Sequence, residues 1–231
     1  MCLIVLAWRV RPDFPVIVAA NRDEYHARPA AAAAFWKDQP QILAGRDLEA
    51  MGTWMGVSRD GRFAAVTNYR GGREPRAAES RGALVARFLT HGEPPRSYVS
   101  SLAKSKNTYS GFNLLATDGE ELWWYSNRDT APRRLEPGIY GLGNLLLDSE
   151  DVAESKSRFA REIESSVAIE TLFQVLAPAR IVSSEYGTRC STVLISSGDG
   201  RMQFAERAFA ANGSEGETVR FEIRRAEAWS K

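Results

Sequence analysis

Cysteine and histidine are scarce in this chain: Cys2, Cys190, His26 and His91 are all that 231 residues contain. Two cysteines do not make a disulfide scaffold. Two histidines and no Cys-x-x-Cys pair leave no recognisable zinc spacing, and few options for an axial haem ligand. Long apolar runs are missing too. Nothing approaches the ~20 residues that cross a bilayer, so no stable membrane insertion is expected. Charge of one sign is not in excess, with Lys plus Arg 30 against Asp plus Glu 29. That balance gives no support to a nucleic-acid partner or a charged membrane surface. The apolar N-terminus lacks a basic segment before it and a small-residue cleavage site after it, so it does not read as a secretory signal. A cytoplasmic protein is expected.

What is present is an ordinary globular composition, 44% hydrophobic and 26% charged. A chain of this length buries roughly 70% of its unfolded surface. No repeat or linker divides it, and one domain over 1–231 is expected. Strands are predicted at Cys2 to Trp8 and Val16 to Ala20, joined by the turn residues Arg11-Pro12-Asp13. Further strands are predicted at Thr53 to Ser58 and Phe63 to Tyr69 around Asp60-Gly61. Residues 29–35 are alanine-rich and undecided, and Arg70 to Pro75 reads as a loop. Ser80 reads as the N-cap of a helix over Gly82 to Thr90, and Tyr98 to Ser105 as a second helix. Strands resume at Phe112 to Ala116, Leu122 to Tyr125 and Ile139 to Leu142. Residues 151–177 form one helical region, and a three-stranded meander closes the chain at Ser191 to Ser196, Met202 to Phe209 and Val219 to Ile223. Strands, helices, strands, helices, strands is the order of an α+β, four-layer αββα sandwich.

The chemistry starts at residue 2. Removal of Met1 would leave Cys2 with a thiol and a free α-amine, a nucleophile beside an amine of pKa near ~8. Asn21-Arg22-Asp23-Glu24 ends the second strand, and a hairpin would carry it back toward Cys2. An acid there holds the amine, and a guanidinium favours the thiolate. Cys2 without Met1 is therefore expected to be a low-pKa thiol, and Cys190 a buried strand residue. Asn68 and Asn144 each end a strand, where a side-chain amide can stabilise an oxyanion. Asn is equally the ordinary residue of turns.

Met1-Cys2 with Asn21-Arg22-Asp23-Glu24 resembles the NRDE family, also called the transport and Golgi organisation protein 2 family. Arg28-Pro29, Gly52-Thr53-Trp54-Met55-Gly56, Thr67-Asn68-Tyr69-Arg70, Ser80-Arg81-Gly82 and Thr188-Arg189-Cys190-Ser191-Thr192-Val193 extend the resemblance in order along the chain. That family in turn resembles the cysteine branch of the N-terminal nucleophile hydrolases. The resemblance implies Cys2 as nucleophile, Asp23 as the acid that binds its amine, Asn68 and Asn144 as oxyanion donors, and a further active-site arginine at Arg158. It implies supporting roles for Asn21, Trp54 and Arg70 around a substrate. One position departs: where the hydrolases carry an arginine before the acid, this chain has Ala20, and Arg22 on the same strand face is the substitute. The implied reaction is hydrolysis of an amide or thioester, acyl-CoA included. The alternative is a non-catalytic carrier of haem, acyl-CoA or lipid, with Trp54 and Trp123-Trp124 lining its cleft. No cofactor is expected beyond haem as a bound ligand.

Overall fold

The computed structural model describes residues 2–71, 78–105 and 108–225. Met1 and the predicted loop from residue 72 onward lie outside them. Thirteen strands, β1 to β13, and four helices, α1 to α4, are found among the described residues. They fall into two compact units.

The first unit takes in residues 2–28, Pro137–Gly143 and Leu147–Arg225. Its strands are β1 (Leu3–Arg11), β2 (Phe14–Tyr25), β10 (Gly138–Leu142), β11 (Tyr186–Ser196), β12 (Arg201–Phe209) and β13 (Glu215–Arg224). They pair antiparallel in the order β10-β1-β2-β11-β12-β13. Alternation decides the faces. Leu3, Val5, Ala7, Ile17, Ala19, Val193 and Ile195 pack on α3 (Ala153–Ser165) and α4 (Ile169–Leu176) through Phe159, Ile163, Leu172 and Leu176. Ile4, Leu6, Val18, Ala20 and Leu194 occupy the opposite face and are also buried.

The predicted helical region over 151–177 is two helices. Ser166 and Ala168 are extended. The Ser165 hydroxyl donates back to the Glu162 carbonyl at 3.1 Å, and the run Ser165-Ser166-Val167 holds a helix poorly. The second strand is longer than predicted. Asn21-Arg22-Asp23-Glu24 lies within β2 rather than beyond it, because β11 begins early enough to pair Tyr186 with Tyr25, Gly187 with Glu24 and Thr188 with Asp23. Backbone pairing by a neighbour overrides the weak strand propensity of these polar residues.

The second unit spans Pro29–Glu136 with Asn144–Leu146. Seven strands run in chain order: β3 (Ala30–Phe35), β4 (Ile42–Asp47), β5 (Met55–Ser58), β6 (Phe63–Asn68), β7 (Phe112–Thr117), β8 (Leu122–Ser126) and β9 (Arg133–Leu135). Helices α1 (Gly82–His91) and α2 (Pro95–Lys104) cover one face, packing Leu84, Val85, Phe88 and Val99 on Ile42, Ala64, Val66, Leu114 and Tyr125. The alanine-rich stretch is the edge strand β3. Its residues are mostly exposed, so it carries no apolar alternation to read. Ser80 is not the N-cap of α1. Arg81 holds that position without a side-chain cap, and Ser80 instead closes a turn just upstream, its hydroxyl accepting from the Gly82 N–H at 3.3 Å. A Cβ on Gly52 would lie 2.6 Å from the backbone carbon of Gly82, so these two glycines let the chain before β5 and the start of α1 meet backbone to backbone.

Candidate active site

The pairing of β1 with β2 brings residue 2 to the polar run. Leu3 pairs with Asn21, and the Cys2 thiol donates to the Asp23 backbone carbonyl at 3.5 Å. Asp23 is buried. The Thr188 hydroxyl donates to its Oδ1 at 2.6 Å, and the same hydroxyl oxygen accepts from the Ile181 N–H at 2.8 Å. A carboxylate fixed in this way is a stationary negative centre next to the start of β1.

Asn21 lies on the helix side. Its Oδ1 accepts from the Ser191 hydroxyl at 2.6 Å and its Nδ2 donates to the Leu176 carbonyl at 3.1 Å. It ties β2 to β11 and to the end of α4, which is a scaffolding position. Arg22 points to the opposite face. Its Nη2 is 3.7 Å from Glu24 Oε2, while its Nη1 is buried without a hydrogen-bond partner.

Burial dominates the Cys2 thiol and pushes it up, and the Asp23 carboxylate adds in the same direction. The bond to the Asp23 backbone and the Arg22 guanidinium pull it down, and burial prevails. The low thiol expected of the chain without Met1 is therefore not a property of the chain that carries it. Cys190 is buried in β11, as expected. Desolvation raises its thiol strongly, the Glu206 carboxylate raises it further, and Arg22 opposes both.

The predicted asparagines belong to the second unit. Asn68 closes β6 and is exposed. Its carbonyl accepts from Asn144 Nδ2 at 2.6 Å, and the Arg70 N–H donates to the Asn144 carbonyl at 2.7 Å. Asn144 is buried, and its Oδ1 has no hydrogen-bond partner. The Arg70 side chain is exposed. Trp54 and Trp123 pack against the apolar cluster under α1 and α2, and Trp124 is fully buried. Arg158 is on α3, where it pairs with Glu154 at 2.6 Å and reaches the Val175 carbonyl of α4 at 3.4 Å. Those contacts keep it in the helix layer, away from the sheet face of Arg22.

Four residues with roles in this arrangement were not singled out from the sequence: Thr188, Ser191, Glu206 and Asn113. The first two stood within a quoted motif but without a partner. Their signal is register, since Thr188 faces Asp23 and Ser191 faces Asn21 across β2 and β11. Asn113 is fully buried, and its Nδ2 donates to the Leu145 carbonyl at 2.8 Å and the Thr67 hydroxyl at 3.2 Å, pinning the segment beside Asn144. An asparagine inside the apolar run Phe112 to Ala116 was the available clue. Among the described residues, no group of three His, Cys, Asp or Glu side chains could hold a metal. None of their helices is long and apolar enough to cross a membrane.

A family model described as Transport and Golgi organisation 2 matches residues 1–181. The chain belongs to this family. It is 34% identical over 273 residues to the Transport and Golgi organization protein 2 homolog of Bos taurus, covering 97% of this chain and 99% of the relative. To the Homo sapiens homolog it is 33% identical over 256 residues, covering 90% and 93%. Among solved structures, it is similar to a Caenorhabditis elegans ortholog of N-acylethanolamine-hydrolyzing acid amidase, with a TM-score of 0.58, 12% identity, and 84% of this chain and 92% of that one covered. It is also similar to a conjugated bile acid hydrolase from Clostridium perfringens, with a TM-score of 0.54, 9% identity, and 97% and 98% covered. At such identities the likeness is one of fold, and it agrees with the α+β sandwich that the element order predicts.

Proposed function

We propose that this chain hydrolyses an amide or a thioester, acyl-CoA being one such thioester, with Cys2 as nucleophile. The observation that carries the reading is the seat of Cys2. Its thiol lies 3.5 Å from the Asp23 carbonyl, beside a buried carboxylate that Thr188 holds in place. A residue that merely opens a strand has no need of a fixed acid next to its amine.

Once Met1 is removed, Asp23 orients the new α-amine. The amine takes the thiol proton, and the thiolate attacks the substrate carbonyl. The tetrahedral oxyanion collapses as the amine or thiol leaves, taking its proton from the α-ammonium. Water, deprotonated by the α-amine, then clears the acyl-enzyme. The roles of Asn68 and Asn144 as oxyanion donors are carried over from the resemblance to the cysteine hydrolases.

An activated acyl probe followed by mass spectrometry tests this directly. The chain trimmed of Met1 should gain one acyl group at Cys2, and the chain that keeps Met1 should gain far less. Cys2→Ala should lose turnover by about a thousandfold or more while keeping ligand affinity. Equal labelling of both forms, or labelling at Cys190, would overturn the reading.

A further inference from the structure

The pairing of three neighbouring strands sets a row of side chains on the sheet face opposite α3 and α4. Arg22 pairs with Cys190 across β2 and β11, and Ala20 pairs with Thr192. Leu3 pairs with Asn21 across β1 and β2, so Cys2 comes beside Arg22 on its other flank. With strands ~4.8 Å apart, the two cysteines lie about 10 Å apart with the guanidinium between them. That is beyond the roughly 7 Å reach of a disulfide, and both thiols are free.

Arg22 is not saturated in this row. A guanidinium carries five N–H donors in a planar fork. Its Nη1 is buried with no acceptor, and its Nη2 has a loose ion pair with Glu24 at 3.7 Å. Thr192 Oγ1 is likewise buried, with no oxygen or nitrogen partner and with the Cys190 thiol beside it. Ala20, between Ile4 and Thr192 in the next row, adds only a methyl group. The carboxylates around the row already have partners: Asp23 accepts from Thr188, Glu206 accepts from the Cys190 thiol at 3.6 Å, and Glu24 meets Arg22 only through Nη2. An unfilled donor on a face that also holds a nucleophile wants an acceptor, and a guanidinium fork matches a carboxylate in shape as well as charge.

We infer that Arg22 Nη1, with the Thr192 hydroxyl, binds a carboxylate on the acyl group presented to Cys2, so that the substrate is a half-amide or half-thioester of a dicarboxylic acid. The identification of the acyl group rests on the hydrolase reading, but the anion subsite is testable without turnover.

Iodoacetate and iodoacetamide alkylate a thiol through the same displacement of iodide and differ in carrying a carboxylate or a neutral amide. The ratio of their rates at Cys2, read by peptide mass spectrometry, cancels any change in the thiol's own ionisation. In the native chain this ratio should exceed that of a small free thiol by about tenfold or more. Arg22→Gln should return it to the small-thiol value, and Arg22→Lys should keep part of it. A native ratio at or below the small-thiol value overturns the subsite, and so does an elevated ratio that survives Arg22→Gln. Should Arg22→Gln fail to fold, the native ratio and its suppression by glutarate but not by butyramide decide the matter alone. An elevated ratio in a chain that turns over no glutaryl or butyryl amide or thioester keeps the subsite and removes the hydrolase. Turnover equal for glutaryl and butyryl substrates keeps the hydrolase and removes the subsite.

Discussion

Cys2 and Cys190 flank the same guanidinium on the same sheet face, and what surrounds them differs. Cys2 is half-buried at the start of β1, and its thiol meets a backbone carbonyl. Cys190 is buried in the middle of the sheet, and its thiol meets the buried carboxylate of Glu206 at 3.6 Å. Arg22 favours the thiolate of both. A shared cation therefore does not make two equal nucleophiles. Access and the second neighbour separate them: Cys2 is partly open to solvent and its backbone contact pulls its thiol down, whereas the buried Glu206 carboxylate pushes the Cys190 thiol up.

The largest expected consequence is selectivity. Iodoacetamide at pH 7.5 should modify Cys2 about a hundredfold faster than Cys190 in the folded chain, and the two should converge in denaturant. Peptide mapping against time measures both at once. Rates within tenfold of each other in the native protein would break the comparison.

Glu206→Gln sharpens it. Removing the like charge lowers the Cys190 thiol and should speed its alkylation up to about tenfold, with Cys2 changed by less than about twofold. Arg22→Gln should act on both together, slowing each by up to about tenfold, because the same guanidinium pulls both thiols down. If either substitution moves only the wrong thiol, Arg22 does not lie between the two cysteines in a row across β1, β2 and β11.

The sequence made the outline of this site legible for a physical reason. Continuous apolar runs mark β1 and the first part of β2, and a hairpin of those two strands returns Asp23 to residue 2 whatever the rest of the chain does. The paired glycines at Gly52 and Gly82 were visible as motif residues, but not their mutual contact, which brings together chain segments thirty residues apart. Register with β11 was not legible. Asn21 and Arg22 are neighbours in sequence and sit on opposite faces, one anchored by Ser191 and Leu176, the other between two thiols. That distinction depends on a strand that starts at Tyr186, and only Ser191 onward is apolar enough to announce itself. Arg158 shows the complementary limit. Its local sequence matches a motif, yet helix α3 aims it at Glu154 and the Val175 carbonyl.

The smallest expected effect is on stability, and its sign follows from the two raised thiols. Below about pH 8.5 a thiol is protonated in both the folded and the unfolded chain, so neither cysteine contributes any pH dependence. Above that value the unfolded chain releases protons that the folded chain keeps. The folded state then binds more protons, and stability falls as pH rises. Burial and the Glu206 carboxylate raise the Cys190 thiol the further of the two, so most of the fall belongs to it. Each thiol contributes at most about 1.4 kcal/mol per pH unit until its folded form ionises. Urea unfolding between pH 8 and 10, a window that stops where tyrosines begin to ionise, should show the midpoint moving down. Cys190→Ala should flatten that slope by about one thiol's share, whatever it does to the stability at pH 7. Cys2→Ala should flatten it less, because the half-buried thiol is raised by less. A slope unchanged in Cys190→Ala would mean that the thiol ionises in the folded chain as readily as in the unfolded one, and that Glu206 and the surrounding sheet do not hold it neutral.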